Sequence, residues 1–408
     1  MALIRQIAFR YFRGKRSANA VPILSRISMA AIAVSSAAMV IVFSVFNGME
    51  SLVKEGYNAF YPDLKISAVR GKFFAMDATK LSAVKQIKGV RNITTVIEDN
   101  VFADNDGQQK VVMLKGIDKN YFNVNDIRPF IMLGDDSVSE GHPYTAIGGR
   151  HILNELGADV SNVFSNIELF YPDPTVTNPE ADPLSAFQSL KLHPAGAFSI
   201  EDDFDSRYVL APLSLAQELF HQKGLYSSIE ISADPGAADK VKEQLSQLLG
   251  AAWKIETRYE QNKTLYMVMG AERSAVRAIL LLVLVIASFN MVGALSMLVL
   301  EKQKDISILQ AMGTQSQTIR KIFLLEGTLW SLTGGGAGIL VGCLVCFAQQ
   351  HYGLVKLGGS FLVDAYPVKI ELSDILLVLT IILIVGISAS WYPSVRATKT
   401  IDLTLKSA

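Results

Sequence analysis

The chain has 408 residues, half of them hydrophobic and only 19% charged, with a mean hydropathy of +0.30 and no net charge. That balance lies on the membrane side of ordinary soluble composition and carries no basic excess of the kind that binds nucleic acid. Cys343 and Cys346 fall inside an apolar run, where small packing residues are a simpler reading than a metal or disulfide site, and the long polar stretch has no cysteine at all.

The apolar residues are concentrated in four blocks, 27–46, 278–300, 323–349 and 375–392, and none contains Lys or Arg. Each is close to the ~20 residues a helix needs to cross ~30 Å of hydrocarbon. Charge is segregated between them. Residues 1–26 carry six basic and no acidic residues, whereas 47–270 carry 21 basic and 30 acidic, a net charge of minus nine. Four basic residues face two acidic ones in 301–321, and three face one after Tyr392. The positive-inside rule places both termini and the 301–322 insert in the cytoplasm, and the 47–270 stretch and the 350–374 loop outside.

In chain order, residues 1–26 read as a surface-lying amphipathic helix and basic arm, with Leu3, Ile4, Ile7, Tyr11 and Phe12 on one face. A secretory signal is the competing reading. The following block is long for one and runs into FSVFNGME without a small-x-small cleavage site, so it is expected to be a membrane anchor. Ala33 and Ala37, four apart within it, allow a close helix neighbour.

Residues 47–270 alternate strand and helix patterns. The reading is a large α+β domain: a βαβ-like subdomain, about 50–125 rejoined by 207–270, with a mainly β subdomain inserted at about 126–206. A hairpin is expected at Asn105, Asp106 and Gly107. Residues 170–196 hold five prolines in 23 positions, which argues against a central strand. This stretch is expected to be an irregular surface loop, either disordered or partner-binding.

In the second block Asn290 is polar in hydrocarbon and should hydrogen-bond to a neighbouring helix. The 301–322 insert reads as an amphipathic helix, with Ile306, Ile308, Leu309 and Met312 at helical spacing and Lys302 and Asp305 elsewhere on the wheel. Gly313 should stop it, and Thr314 with Gln317 should form the capping box of the next helix. A helix merely resting on lipid headgroups remains the alternative. Gly334, Gly338 and Gly342 in the third block should line a close helix contact, and Glu326 is expected at headgroup level. The sequence has no GxxxxGK[ST], HExxH or GxSxG signature, so binding, transmission or transport is expected in place of catalysis.

As a set, FRYFRGKR, FSVFNGME, FNMVGALSMLVLEKQKDISILQAMG, IRKIFLLEG and WYPSVRA resemble the permease subunits of the lipoprotein-releasing ABC transporter, within the FtsX-like permeases that carry a MacB-like periplasmic domain. The resemblance covers all four spans and is weaker in the outer domain. It implies a multi-pass protein of the bacterial inner membrane that binds no cofactor itself and pairs with an identical or sister permease. Two copies of a cytoplasmic ATPase would hold ATP and Mg. The insert, Lys302, Asp305, Ile306, Ile308, Leu309, Met312 and Gly313, would be the coupling helix. Triacylated lipoproteins would leave the membrane past Phe43, Phe46, Met49, Asn290 and Met291. A periplasmic carrier chaperone would dock on the 171–196 loop through Tyr171, Pro172, Pro174, Phe187 and Leu190. Related permeases drive efflux or transmit force to cell-wall hydrolases. A tethered receptor or adhesin is the reading from another class.

Overall fold

A computed structural model describes residues 20–136, 138, 144–162, 164–173, 186–357 and 365–405. Residues 1–19 of the surface helix and basic arm expected at 1–26, and Pro174, lie outside the described residues, while residues 20–26 form the start of the first long helix. Helix α1 (Ala20–Phe60) is 41 residues long, about 60 Å at 1.5 Å per residue. It is therefore about twice as long as a hydrocarbon core needs, and the apolar block is only its middle. The chain then forms β1 (Leu64–Ala68), α2 (Ala78–Lys85), β2 (Val90–Asn105), β3 (Gln108–Ile117), α3 (Tyr121–Val124), β4 (Ile131–Gly134), β5 (Thr145–Gly149), α4 (Arg150–Glu155), β6 (Ile167–Pro172) and β7 (Phe187–Phe198). There follow α5 (Asp202–Asp205), β8 (Tyr208–Pro212), α6 (Leu213–Leu219), β9 (Ser228–Ala233), α7 (Ala238–Leu249), β10 (Trp253–Thr257) and α8 (Arg258–Gln261). Helix α9 (Lys263–Glu301), the short α10 (Gln303–Ala311), α11 (Ser316–Tyr352) and α12 (Leu372–Leu405) complete it. Helices α1, α9, α11 and α12 are each long and apolar enough to cross a membrane.

The chain divides into a helix bundle and a sheet domain, Leu52–Met267. In the bundle, missing side chains bring helices together. A Cβ on Gly334, Gly338 or Gly342 would lie 2.6, 2.1 or 3.0 Å from the carbonyl oxygen of Met29, Ala33 or Ala37, so the glycine stripe of α11 lies directly on the small-residue face of α1. On its other side α11 meets α12 reciprocally. A Cβ on Gly327 would strike Ser390 Oγ and one on Gly386 would strike Ser331 Oγ, each at 2.0 Å. Around these contacts Ile32, Met39, Phe43, Leu284, Met291, Phe323, Trp330 and Ile382 form one apolar core.

In the sheet domain β1-α2-β2 and β9-α7-β10 interlock with strand order β10-β1-β9-β2, all neighbours antiparallel, which is the ferredoxin-like pair of split β-α-β units. The hairpin turns on Asp106 and Gly107, both at positive φ (49° and 85°), the two-residue turn that matches strand twist. The two expected subdomains are not separate sheets. Strand β2 spends its first half on β9 and its second half on β3, and the ladder continues β3-β8-β5-β7-β4 with β6 against β2 and β7. At 16 residues β2 is long enough to serve both halves. Strand β8, expected in the βαβ-like part, lies between β3 and β5 and is buried on both faces.

Residues 187–196 also depart from expectation, because they belong to β7, whose first half pairs with β6 and whose second half pairs with β5 and, at its end, β4. Pro194 is tolerated there because the β5–β7 register shifts between Ala146 and Ile147, and an irregular ladder removes the need for its missing amide.

Candidate functional site

The insert closes on backbone geometry. Gly313 takes φ 85°, its N–H donates to the Gln310 carbonyl at 2.9 Å and the Thr314 N–H to the Leu309 carbonyl at 3.0 Å. This pair of bonds is a Schellman stop. Because it engages the Thr314 amide in the helix that is ending, Thr314 does not cap the next one. Gln315, in extended conformation, is the N-cap of α11, and no side chain caps it. The apolar residues of α10 divide between two faces. Ile306 is buried in the bundle core, Leu309 is half-buried, and Ile308 and Met312, four apart, are 60% and 77% exposed. Lys302 and Asp305 pair across one turn at 3.4 Å. The insert thus presents two adjacent apolar side chains beside an ion pair.

Further along α11, Glu326, expected at headgroup level, is enclosed by the helices of the bundle. Only 1% of it is exposed and neither carboxyl oxygen has a hydrogen-bond partner. It belongs to the stripe Ile319, Ile322, Phe323, Glu326, Trp330, all buried, and that helical spacing was the signal for its burial.

The five residues expected along a lipid path do not share one surface. Phe43 and Met291 are in the bundle core, Phe46 and Met49 are half-buried, and Asn290 is exposed, with its backbone carbonyl accepting from Ser28 Oγ at 3.1 Å. Sequence reasoning missed the polar cluster at the outer end of this seam. Asn47 Nδ2 donates to Asp374 Oδ2 at 2.6 Å, and Arg273 Nη2 donates to Asn47 Oδ1 at 3.2 Å. The signals were the Asn-Gly-Met-Glu that ends the first span and the Glu-Arg-Ser-Ala-Val-Arg run, residues 272–277, at the outer margin of the second.

Of the expected chaperone contacts, Tyr171 and Leu190 lie in the β6–β7 ladder. The Tyr171 ring lies tilted against the Phe220 ring, 4.8 Å between their centres, and its hydroxyl donates to Asp99 at 2.9 Å. Burial first, and then that carboxylate, push its phenol up to about 12. Leu190 packs against the domain core opposite Leu169. Pro172 and Phe187 face each other at the loop end of the hairpin, where half of Phe187 is exposed. These side chains support the fold, and only the Phe187 end offers apolar surface.

A chain with four membrane-length helices, a large α/β domain between the first and second, and a short helix with exposed apolar residues between the second and third is a multi-span permease subunit. Residues 25–248 match the MacB-like periplasmic core domain and residues 277–400 the FtsX-like permease C-terminal domain. The chain belongs to this family of ABC transporter permeases. It is 25% identical to the lipoprotein-releasing system transmembrane protein LolC of Neisseria meningitidis over 411 residues, 97% of this chain and 96% of that one. It is 26% identical to LolE of Haemophilus influenzae over 417 residues, 96% of each. Among solved structures, the periplasmic region of MacB from Actinobacillus actinomycetemcomitans matches with TM-score 0.36 at 11% identity, covering 52% of this chain and 97% of that one.

Proposed function

We propose that this chain is the permease subunit of an inner-membrane transporter that extracts triacylated lipoproteins and hands them to a periplasmic chaperone. The energy comes from ATP hydrolysed, with Mg, on a separate ATPase, and the permease works as a pair with an identical or sister chain. The observation that carries the reading is the Ile308 and Met312 pair, exposed on a helix with charged neighbours between two membrane-length helices. Exposed apolar pairs of this kind mark a partner's groove. Near full-length similarity to two lipoprotein-releasing permeases supports the cargo.

The test is reconstitution with a co-purified ATPase in proteoliposomes carrying an acylated lipoprotein, with soluble chaperone outside. ATP-dependent appearance of the lipoprotein on the chaperone is expected. A complex that hydrolyses ATP but leaves lipoprotein in the membrane overturns the reading in favour of efflux or force transmission, and absence of an ATPase partner favours a receptor. Orientation is tested in spheroplasts: a thiol at exposed Gln108 should label from outside and one at exposed Gln317 should not.

A further inference from the structure

We propose that Arg273 is a latch on the outer end of the seam between α1 and α9, and that its release opens the seam to acyl chains. This rests on the lipoprotein-extraction reading above. Two contacts fix the alignment of the helices. Ser28 meets the Asn290 carbonyl towards the inner end, and Asn47 meets Arg273 at the outer end. As α1 advances 19 residues α9 retreats 17, the offset of two antiparallel helices side by side along the whole stretch. Between these contacts Met39 and Phe43 of α1, and Leu280 and Leu284 of α9, are buried in one apolar core. The seam is closed, and its lining has the aliphatic and aromatic character that suits a fatty acyl chain.

The outer end is built asymmetrically. Helix α1 is fixed to the segment leading into α12 through backbone: Lys369 N–H donates to the Ser44 carbonyl at 2.8 Å, and Gly48 is so close that a Cβ would lie 2.2 Å from the Pro367 carbonyl oxygen. Asn47 adds Nδ2–H donation to Asp374 and, at 3.5 Å, to the Lys369 carbonyl. Helix α9 joins this cluster through the Arg273 side chain. Its guanidinium donates to Asn47 Oδ1 at 3.2 Å and sits 3.6 Å from Glu50 and 3.7 Å from Asp374. Long, partly solvated ion pairs are individually weak. The α1–α12 side is therefore the fixed wall, and the α9 side is the one that can swing away when ATP-driven motion pulls on it. Both carboxylates and the Asn47 oxygen converge on one guanidinium, so losing Arg273 removes all three of these outer-end contacts of α9 at once.

The test uses the full complex in proteoliposomes. Asn47→Cys with Arg273→Cys, bridged by a short reducible bis-thiosulfonate, should cut lipoprotein release at least tenfold while ATP hydrolysis continues, and reductant should restore release. Arg273→Met should raise thiol labelling of a Phe43→Cys reporter several-fold. Glu50→Gln should raise it in the same direction, which keeps the proposal testable if Arg273→Met accumulates poorly. Undiminished release by the bridged pair, or reporter labelling unchanged in both variants, overturns the latch. If the unbridged complex releases no lipoprotein yet reporter labelling rises, the latch stands and the cargo assignment falls. If bridged protein still delivers lipoprotein, the cargo stands and the latch falls.

Discussion

Lys115 Nζ lies 2.9 Å from Glu230 Oε1 in the sheet domain, with the two side chains 3% and 1% exposed. The ammonium also sits over the rings of Phe60 and Tyr121, 4.9 and 5.0 Å from their centres, and Asn125 donates to the other oxygen of Glu230. Desolvation offsets most of the attraction in a pair buried this deeply, but breaking it leaves a charge without compensation, at a cost of about 3–5 kcal/mol. Lys115→Met should therefore strip hydrogen-exchange protection from β2, β3 and β9. Glu230→Gln combined with Lys115→Met should recover part of it. Protection equal to the parent in the single variant would show that Glu230 finds another partner.

The same network predicts a pH window. Burial pushes the Glu98 carboxyl up, but Lys65, 2.9 Å away, and Lys115 more than offset it and hold it at about 2. Its folded value is depressed, so its contribution is present above the ordinary carboxylate range and is lost as pH falls towards 2. Burial pulls the Lys115 ammonium down, but Glu230, Tyr121 and Glu98 overcome this and hold it well above its ordinary value. That contribution is full below about 10.5 and is lost only in stronger alkali. Exchange protection in β2 and β3 should be flat from about pH 5 to 10 and fall on the acid side from pH 4 downward. Constant protection to pH 2 would rule out Glu98 as a stabilising charge.

For the insert, the two faces of α10 predict two phenotypes. Ile308→Asp or Met312→Asp places a charge on an exposed face, so the membrane protein should accumulate normally while ATPase affinity falls 100-fold or more, because a charge in an apolar groove costs several kcal/mol. Ile306→Asp buries its charge in the bundle and should reduce accumulation itself. Co-purification quantified against membrane level separates the two. Full ATPase recovery with either exposed-face variant would remove α10 from the interface.

Periodic features were legible in the sequence. The glycine stripe of α11 and the small residues of α1 each predicted a close helix contact, although not that they would meet each other, and the Asp106-Gly107 hairpin turned where expected, because one residue type at a fixed spacing has few other uses. What sequence could not supply was long-range pairing. Nothing local says that Tyr208–Pro212 inserts between β3 and β5, or that a register shift at Ala146 makes room for Pro194. At Thr314 two valid local rules competed for one amide, and the Schellman stop at Gly313 prevailed. In the candidate site the exposed pair on α10 was visible as an apolar stripe, although not which members of it turn inward. The Arg273 cluster joins residues 47, 273 and 374, and no window of sequence contains all three.

The β6–β7 hairpin sets how the chaperone contact can be tested. Replacing residues 174–192 by a linker would remove half of β7, including Leu192, which is fully buried and pairs with Ile167, so that deletion should unfold the β6–β7 half of the sheet. The described hairpin closes just inside residues 174–185, where the Asp173 N–H donates to the Ala186 carbonyl at 2.9 Å. Chain ends already held this close accept a short Gly/Ser linker at little cost, since loop-closure entropy changes slowly with length. A protein with 174–185 replaced should keep exchange protection in β6 and β7 and keep ATP hydrolysis in the complex, while transfer of lipoprotein to the chaperone is lost. Phe187→Ala, at the exposed end of the hairpin, should weaken chaperone binding about tenfold without unfolding the ladder. Transfer at the parental rate by both proteins would put the chaperone contact elsewhere on this chain or on its partner permease.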